Sequence, residues 1–362
     1  MAPATGKRTF LPAQQNDSAA LFKRFLAQHK SRFEQHLKRR LAQAQRRFPH
    51  AGGPVVDTTQ ALVDLCERGG KRVRPALVFA GARTIEPNPP TSILVDASAA
   101  LELLHGYFLV HDDWMDGDLV RRGGPSVHAA LRKRFGSDAI GDAAAILAGD
   151  WGVAVATDWV ARLAIDGSKV KAVLACFANM QLAAVVGQIR DLVADDDDAE
   201  LTYRLKTASY TVTGPLLIGA LVAGANATQQ RSVVDFATPV GVAFQLRDDL
   251  IGVFAPPEQT GKPFASDVLA GKRTALVLEC LRAATPLEAR FIRRTLGNAG
   301  AGQKDLRRFV KLLESTGARA RVEKRIRTLQ RQSLSKLAKA HLLPEGKALL
   351  ASAATFLIDR GA

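Results

Sequence analysis

At 362 residues and 47% hydrophobic composition, the chain can bury a large core, which excludes a disordered or fibrous protein. Its three cysteines, Cys66, Cys176 and Cys280, form neither a CxxC pair nor an even-numbered framework, which excludes a disulfide scaffold and a zinc ribbon and suits a reducing cytoplasm. The net charge of +15 is uneven: residues 1–50 carry 11 Lys+Arg against 2 acids, 281–362 carry 18 against 6, and the middle carries 21 against 27.

The terminal basic residues sit at helical spacing among Leu, Phe and Val, so they read as solvated helix faces and not as a nucleic-acid groove, which would interleave them with exposed aromatics. Residues 1–16 are expected to be disordered, and residues 17–362 to form one all-α domain. MAPATGKRTF holds no signal-type apolar core, and no run approaches the roughly 18 uninterrupted apolar residues of a bilayer span, so no stable membrane insertion is expected.

In 17–47, Leu21, Phe22, Phe25, Leu26, Phe33, Leu37 and Leu41 mostly recur at three or four, which predicts an amphipathic helix. Helices follow at about 57–67, 73–85 and 91–114. Where the second of these begins, ERGGKRVRPALVFAG (67–81) brings Lys71, Arg72 and Arg74 to a Gly-rich helix start suited to an anion.

The helix at 91–114 runs into HDDWMD. Asp112 and Asp116 are i,i+4, so their carboxylates share a face and can hold Mg²⁺ with a substrate diphosphate completing the shell. Arg121 and Arg122 follow at once.

The stretches 138–165, 168–194, 199–223 and 228–254 include several that are apolar on more than one side, as expected of helices around a central cavity. Within GVAFQLRDDLIGVF (241–254), Asp248 and Asp249 follow Gln245 by one turn. Two acidic clusters on apolar helices are costly unless they bind cations. Lys206, Thr207, Lys262 and Lys272 add candidate phosphate ligands, and helices at 273–284, 286–296, 303–334 and 344–359 complete the chain.

Over about 60–280 the sequence resembles the trans-isoprenyl diphosphate synthase (polyprenyl synthetase) family, short-chain type, with six motifs in order: GGKRVRP, HDDWMD with RRGGPSVH, GQIRDL, LKTASY, FQLRDDL, and GKP with DVLAGKRT. The resemblance implies an isoprenoid synthase-type bundle, a homodimer, and Mg-dependent condensation of isopentenyl diphosphate with an allylic diphosphate, using about three Mg²⁺. It implies that Asp112 and Asp116, supported by Asp113, bind two ions, and that Asp248, beside Asp249, binds a third. Lys71, Arg74, His105 and Arg122 match the isopentenyl diphosphate site, and Arg121, Lys206 and Lys262 the allylic diphosphate ligands. Thr207 and Gln245 match polar groups near the developing cation, and Gln188 and Asp191 line the same cavity.

Tyr107 and Phe108 lie about 6–8 Å along the helix from Asp112, at about 1.5 Å per residue. Aromatic rings there accompany short products in the resembling family, so C15 is expected, with C20 the near alternative. One departure stands out: Gly252 occupies the place of a third Asp in the second motif. The reading adopted is that Asp248 suffices, because Lys262 and Lys272 remain. A class I terpene cyclase would lack the GGKRVRP site, and a non-catalytic partner subunit would lose ligands; Gly252 is the one feature favouring the latter.

Overall fold

The computed structural model describes residues 18–48, 50–193, 198–255 and 264–359. In order come α1 (Ala20–Gln45), α2 (Gly53–Glu67), α3 (Val73–Arg83), α4 (Thr91–Asp116), β1 (Val120–Arg121), β2 (Gly124–Pro125), α5 (Val127–Phe135), α6 (Asp138–Ala161) and α7 (Gly167–Val193). Then follow α8 (Ala199–Tyr203), a π-helix (Arg204–Thr213), α9 (Gly214–Val222), α10 (Ala227–Phe254), α11 (Ser266–Leu269), α12 (Ala275–Ala283), α13 (Pro286–Thr295), α14 (Gln303–Ser315), α15 (Ala318–Lys339) and α16 (Pro344–Ile358). The fold is all-α; among the described residues the only strands are the antiparallel pair β1 and β2.

Three local expectations change. The stretch 303–334 is two helices, because Gly317 at φ +76° takes the left-handed conformation that stops α14 before α15 begins. α5 was not expected, although Ser126 precedes it and Gly136 closes it at φ +65°. The stretch 199–223 holds ten residues of π-helix between two α-helical pieces. The expected disorder of 1–16 lies outside the described residues.

The buried side chains form two clusters. One is gathered from α10 and the helices after it, the other from α2, α4, α6 and α7. α3 serves both, with Leu77 and Ala80 in the first and Val78 and Phe79 in the second. It can do so because it crosses α9 backbone to backbone: a Cβ on Gly81 would collide with the Leu216 carbonyl, and one on Gly219 with the Val78 carbonyl. Any side chain at either glycine would push the helices apart, at about 1–3 kcal/mol or more.

Three helices, α4, α6 and α7, have the length and composition to cross a membrane, a looser standard than an uninterrupted apolar run. In α4 that window is 72% buried inside the bundle, against 44% in α6 and 33% in α7. The outer face of α7 accordingly exposes Leu182, Val186, Ile189 and Val193.

Candidate active site

A cavity of about 400 Å³ opens where α4, the π-helix and α10 converge. Asp112 and Asp116 reach it from the end of α4, Lys206 and Thr207 from the π-helix, Gln245 and Asp248 from α10. Arg74, His105, Arg121, Asp191 and Lys272 also line it, so the chain brings together residues up to about 200 positions apart. A π-helix widens the turn and is frequent at functional sites. Here two glycines let neighbours close on it: a Cβ on Gly187 of α7 would meet the Lys206 backbone, and one on Gly241 of α10 would meet Ala208.

The acidic side of the cavity is braced by lysines. Lys206 Nζ lies 3.3 Å from Asp112 Oδ1 and hydrogen-bonds Asp191, while Lys272 Nζ lies 3.3 Å from Asp116 Oδ2. Burial works against both ammonium charges, yet the surrounding carboxylates raise both pKa values above the ordinary lysine value.

Asp112 Oδ1 is buried with no hydrogen bond, its neighbouring cation being Lys206 Nζ at 3.3 Å. Among the described residues no three His, Cys, Asp or Glu side chains converge tightly enough to form a metal site by themselves. That donor set fits Mg²⁺, which is usually held by one or two carboxylates together with substrate phosphate oxygens.

Asp113 and Asp249, both expected at the metals, are held by protein donors, and of the two only Asp249 lines the cavity. Asp113 is fully buried on the other side of α4 and receives Arg121 Nε at 2.7 Å as well as its Nη2. Burial pushes its carboxyl up to about 6 despite Arg121. Asp249 is also buried; Tyr203 donates to its Oδ2 and Gln245 Nε2 donates to its Oδ1 at 3.0 Å. Burial pushes its carboxyl up to about 7, against the pull of those two hydrogen bonds. Asp113 follows a cavity-facing Asp by about 100° of rotation around the helix, which carries it into the bundle, whereas Asp249, though buried, still borders the cavity.

The basic side is arranged around His105, buried on α4. Burial, and then the charges of Arg74, Arg122, Arg121 and Arg72, push its imidazole well below the usual range, and its Nδ1 has no hydrogen-bond partner. Arg74 donates to Thr211 Oγ1 at 2.8 Å and lies 4.8 Å over the Tyr210 ring. Arg122 does not line the cavity; it lies beside Gly70, within 3.6 Å of Glu102, and donates to the Leu65 carbonyl. Lys71 is exposed and also outside the cavity lining. Arg72 is occupied structurally, 2.6 Å from the buried Glu102. Lys262 lies outside the described residues.

A second, mainly apolar pocket of about 270 Å³ lies between α4 and α7. It shares Asp112, Lys206 and Tyr210 with the larger cavity, and Tyr107 and Phe108 line it with ring centroids 5.0 Å apart. Met115, read from sequence as a packing residue, lines it too, as does Gln188.

Sequence reasoning missed Tyr210, whose ring stands 4.7 Å from Phe108 and borders both spaces; its place in LKTASY was the available signal. It also missed Asp267. A Cβ on Gly252 would collide with Oδ2 of Asp267, so that carboxylate from α11 covers the position where the second motif lacks its third Asp.

Comparison with known proteins agrees with this arrangement. Residues 57–313 match the Polyprenyl synthetase family. The chain is 33% identical over 267 residues to the geranylgeranyl diphosphate synthase of Sulfolobus acidocaldarius, covering 71% of this chain and 77% of that protein. It is 32% identical over 302 residues to the (2E,6E)-farnesyl diphosphate synthase of Mycobacterium tuberculosis, covering 81% and 80%. A crystal structure of geranylgeranyl pyrophosphate synthase from Corynebacterium glutamicum, complexed with isoprenyl diphosphate and magnesium, superposes with a TM-score of 0.83 at 30% identity, covering 91% of this chain and 98% of that one.

Proposed function

The chain belongs to the polyprenyl synthetase family of transferases, which elongate prenyl chains, and from that premise we propose that it joins isopentenyl diphosphate to an allylic diphosphate head to tail. The product we propose is a short all-trans polyprenyl diphosphate, C15 with C20 as the near alternative. The observation that carries this reading is one cavity with an acidic side at Asp112, Asp116 and Asp248, a basic side at Arg74 and His105, and an apolar pocket leading off beside Asp112.

In this reading Asp112, Asp116 and Asp248 would hold Mg²⁺, about three ions, and Arg121, Lys206 and Lys262 would be ligands of the allylic diphosphate. When bound, the metal supplies Lewis-acid neutralisation of the departing diphosphate. Lys206 and Arg121 add fixed positive charge at the same leaving group, which stabilises it as it separates. Arg74 and the neutral imidazole of His105 hold isopentenyl diphosphate so that its alkene faces the allylic carbon, while Lys71 and Arg122, expected with them, lie outside the cavity lining. A new C–C bond forms as the allylic C–O bond breaks, and the proton lost from the coupled product passes to the released diphosphate. The apolar pocket takes the lengthening chain away from water, which would otherwise capture the cation.

The Asp267 carboxylate beside Gly252 weighs against a non-catalytic subunit. The exposed apolar face of α7 supports a homodimer formed through that helix, and the three buried free thiols suit a reducing cytoplasm. Light scattering on the purified chain checks the first point: a monomer at micromolar concentration would refute it.

Incubation with labelled isopentenyl diphosphate and C5, C10 or C15 allylic partners, with and without chelator, tests the reaction. C15 or C20 product that disappears with chelator is expected; release of cyclic hydrocarbon would assign a cyclase instead. Tyr107→Ala with Phe108→Ala is expected to lengthen the product by at least one C5 unit, and an unchanged distribution would show that other residues close the pocket.

A further inference from the structure

We propose that Tyr203 is a positioning residue for prenyl transfer, its hydroxyl fixing which way the Gln245 amide and the Thr207 hydroxyl face the cavity; the proposal rests on the prenyl-transfer reading above. Tyr203 ends α8 where the chain enters the π-helix, and it is only 7% exposed. Its phenol oxygen accepts the Ala275 N–H, at the start of α12, at 2.7 Å. Its own proton goes to Asp249 Oδ2. One buried hydroxyl therefore ties together α8, α10 and α12.

The consequence is directional. Asp249 Oδ2 takes the Tyr203 proton and its Oδ1 accepts Gln245 Nε2 at 3.0 Å, so in this arrangement Gln245 turns its NH₂ group toward Asp249. Its Oε1 then faces the other way and accepts the Thr207 hydroxyl proton at 2.9 Å. With that proton committed to Gln245, Thr207 can turn only oxygen lone pairs to the cavity that both residues line. Lone pairs held toward developing positive charge stabilise it at no cost of reorganisation. A reversed amide would donate to the Thr207 oxygen and free the hydroxyl hydrogen to point at the same place, with the opposite effect on a cation.

Tyr203 thus acts through Asp249, Gln245 and Thr207 and needs no contact with substrate. The simpler view, that its ring only fills the core cluster in which it lies, makes a different forecast, because Tyr203→Phe retains the ring. If the hydroxyl positions Gln245 and Thr207, Tyr203→Phe should lower kcat by ~10- to 100-fold, the range seen when supporting hydrogen bonds behind a site are removed, while the KM of each diphosphate moves less than about threefold. A double-mutant cycle separates positioning from packing. In a Thr207→Val background, where no hydroxyl remains to be oriented, Tyr203→Phe should cost less than about twofold.

Asp249→Asn provides a second route should Tyr203→Phe fold poorly by circular dichroism; its loss in kcat should likewise vanish beside Thr207→Val. A kcat for Tyr203→Phe within about threefold of the parent, or equal losses in both backgrounds for the variants that fold, would overturn the positioning role. A parent chain that forms no prenyl product from any allylic partner would instead overturn the prenyl-transfer reading, and this proposal with it.

Discussion

Asp112 on α4 and Asp248 on α10 both face the cavity, while the next residue in each helix, Asp113 or Asp249, is buried and receives protein donors. The two motifs differ in who answers the buried acid. Asp113 meets a cation, Arg121, and Asp249 meets two neutral donors, Tyr203 and Gln245. They differ again at the third position, where Asp116 reaches Lys272 from its own helix, whereas Gly252 lies under the carboxylate of Asp267. In both motifs the second Asp of the pair is braced by protein donors; on α4 it leaves the cavity, and on α10 it remains in the lining.

The largest effect expected from this contrast is on the cavity-facing members. Asp112→Ala and Asp248→Ala should each lower kcat by at least ~10³-fold with far-UV dichroism unchanged, since charge stabilisation at the leaving group acts in the transition state. Turnover within about tenfold of the parent for either variant would break the assignment of that acid.

The buried members should respond through pH. Their carboxyls are raised to about 6 in Asp113 and about 7 in Asp249, above the ~3.9 of an unfolded Asp. The stability tied to protonation is therefore fully present below about pH 3.9 and is lost as pH rises through each folded value. An Asn does not suffer that loss. The Tm of Asp113→Asn and of Asp249→Asn, measured against the parent in metal-free buffer, should accordingly move upward from pH 4 to pH 7. The Asp249 pair should go on shifting to higher pH than the Asp113 pair, which levels off first. A difference that is flat with pH for both would contradict the burial argument.

The smallest effect is expected at the third position. Restoring the family letter with Gly252→Asp should weaken, not strengthen, metal use, raising the Mg²⁺ concentration for half-maximal activity several-fold, because the new carboxylate would meet Asp267 with like charge. A lower Mg²⁺ requirement would show that Asp267 does not stand in for the missing acid.

Much of this was legible in the chain. Helical spacing and the near absence of strand alternation established the all-α class, and motif order brought Asp112, Asp116, Lys206, Gln245 and Asp248 forward as one site. Boundaries slipped where glycine decides: Gly317 splits a helix that its Lys- and Leu-rich flanks would continue, and a single left-handed residue carries little weight in a periodicity count. That Asp113 leaves the cavity while Asp249 stays at its edge was not legible, because a motif records letters, not rotation about a helix.

Residue type and spacing by themselves determined which groups could carry metal and diphosphate chemistry, since i,i+4 acids share a face wherever the helix is placed. Tertiary structure alone decided which acids reach the cavity, that Arg72 is spent on Glu102, that Tyr210 borders both spaces, and that Asp267 covers Gly252. Those outcomes depend on which side of one helix meets which side of another. Close packing, at contacts such as Gly81 on Leu216 and Gly187 on Lys206, fixes that meeting among residues more than a dozen positions apart, where local spacing has no reach.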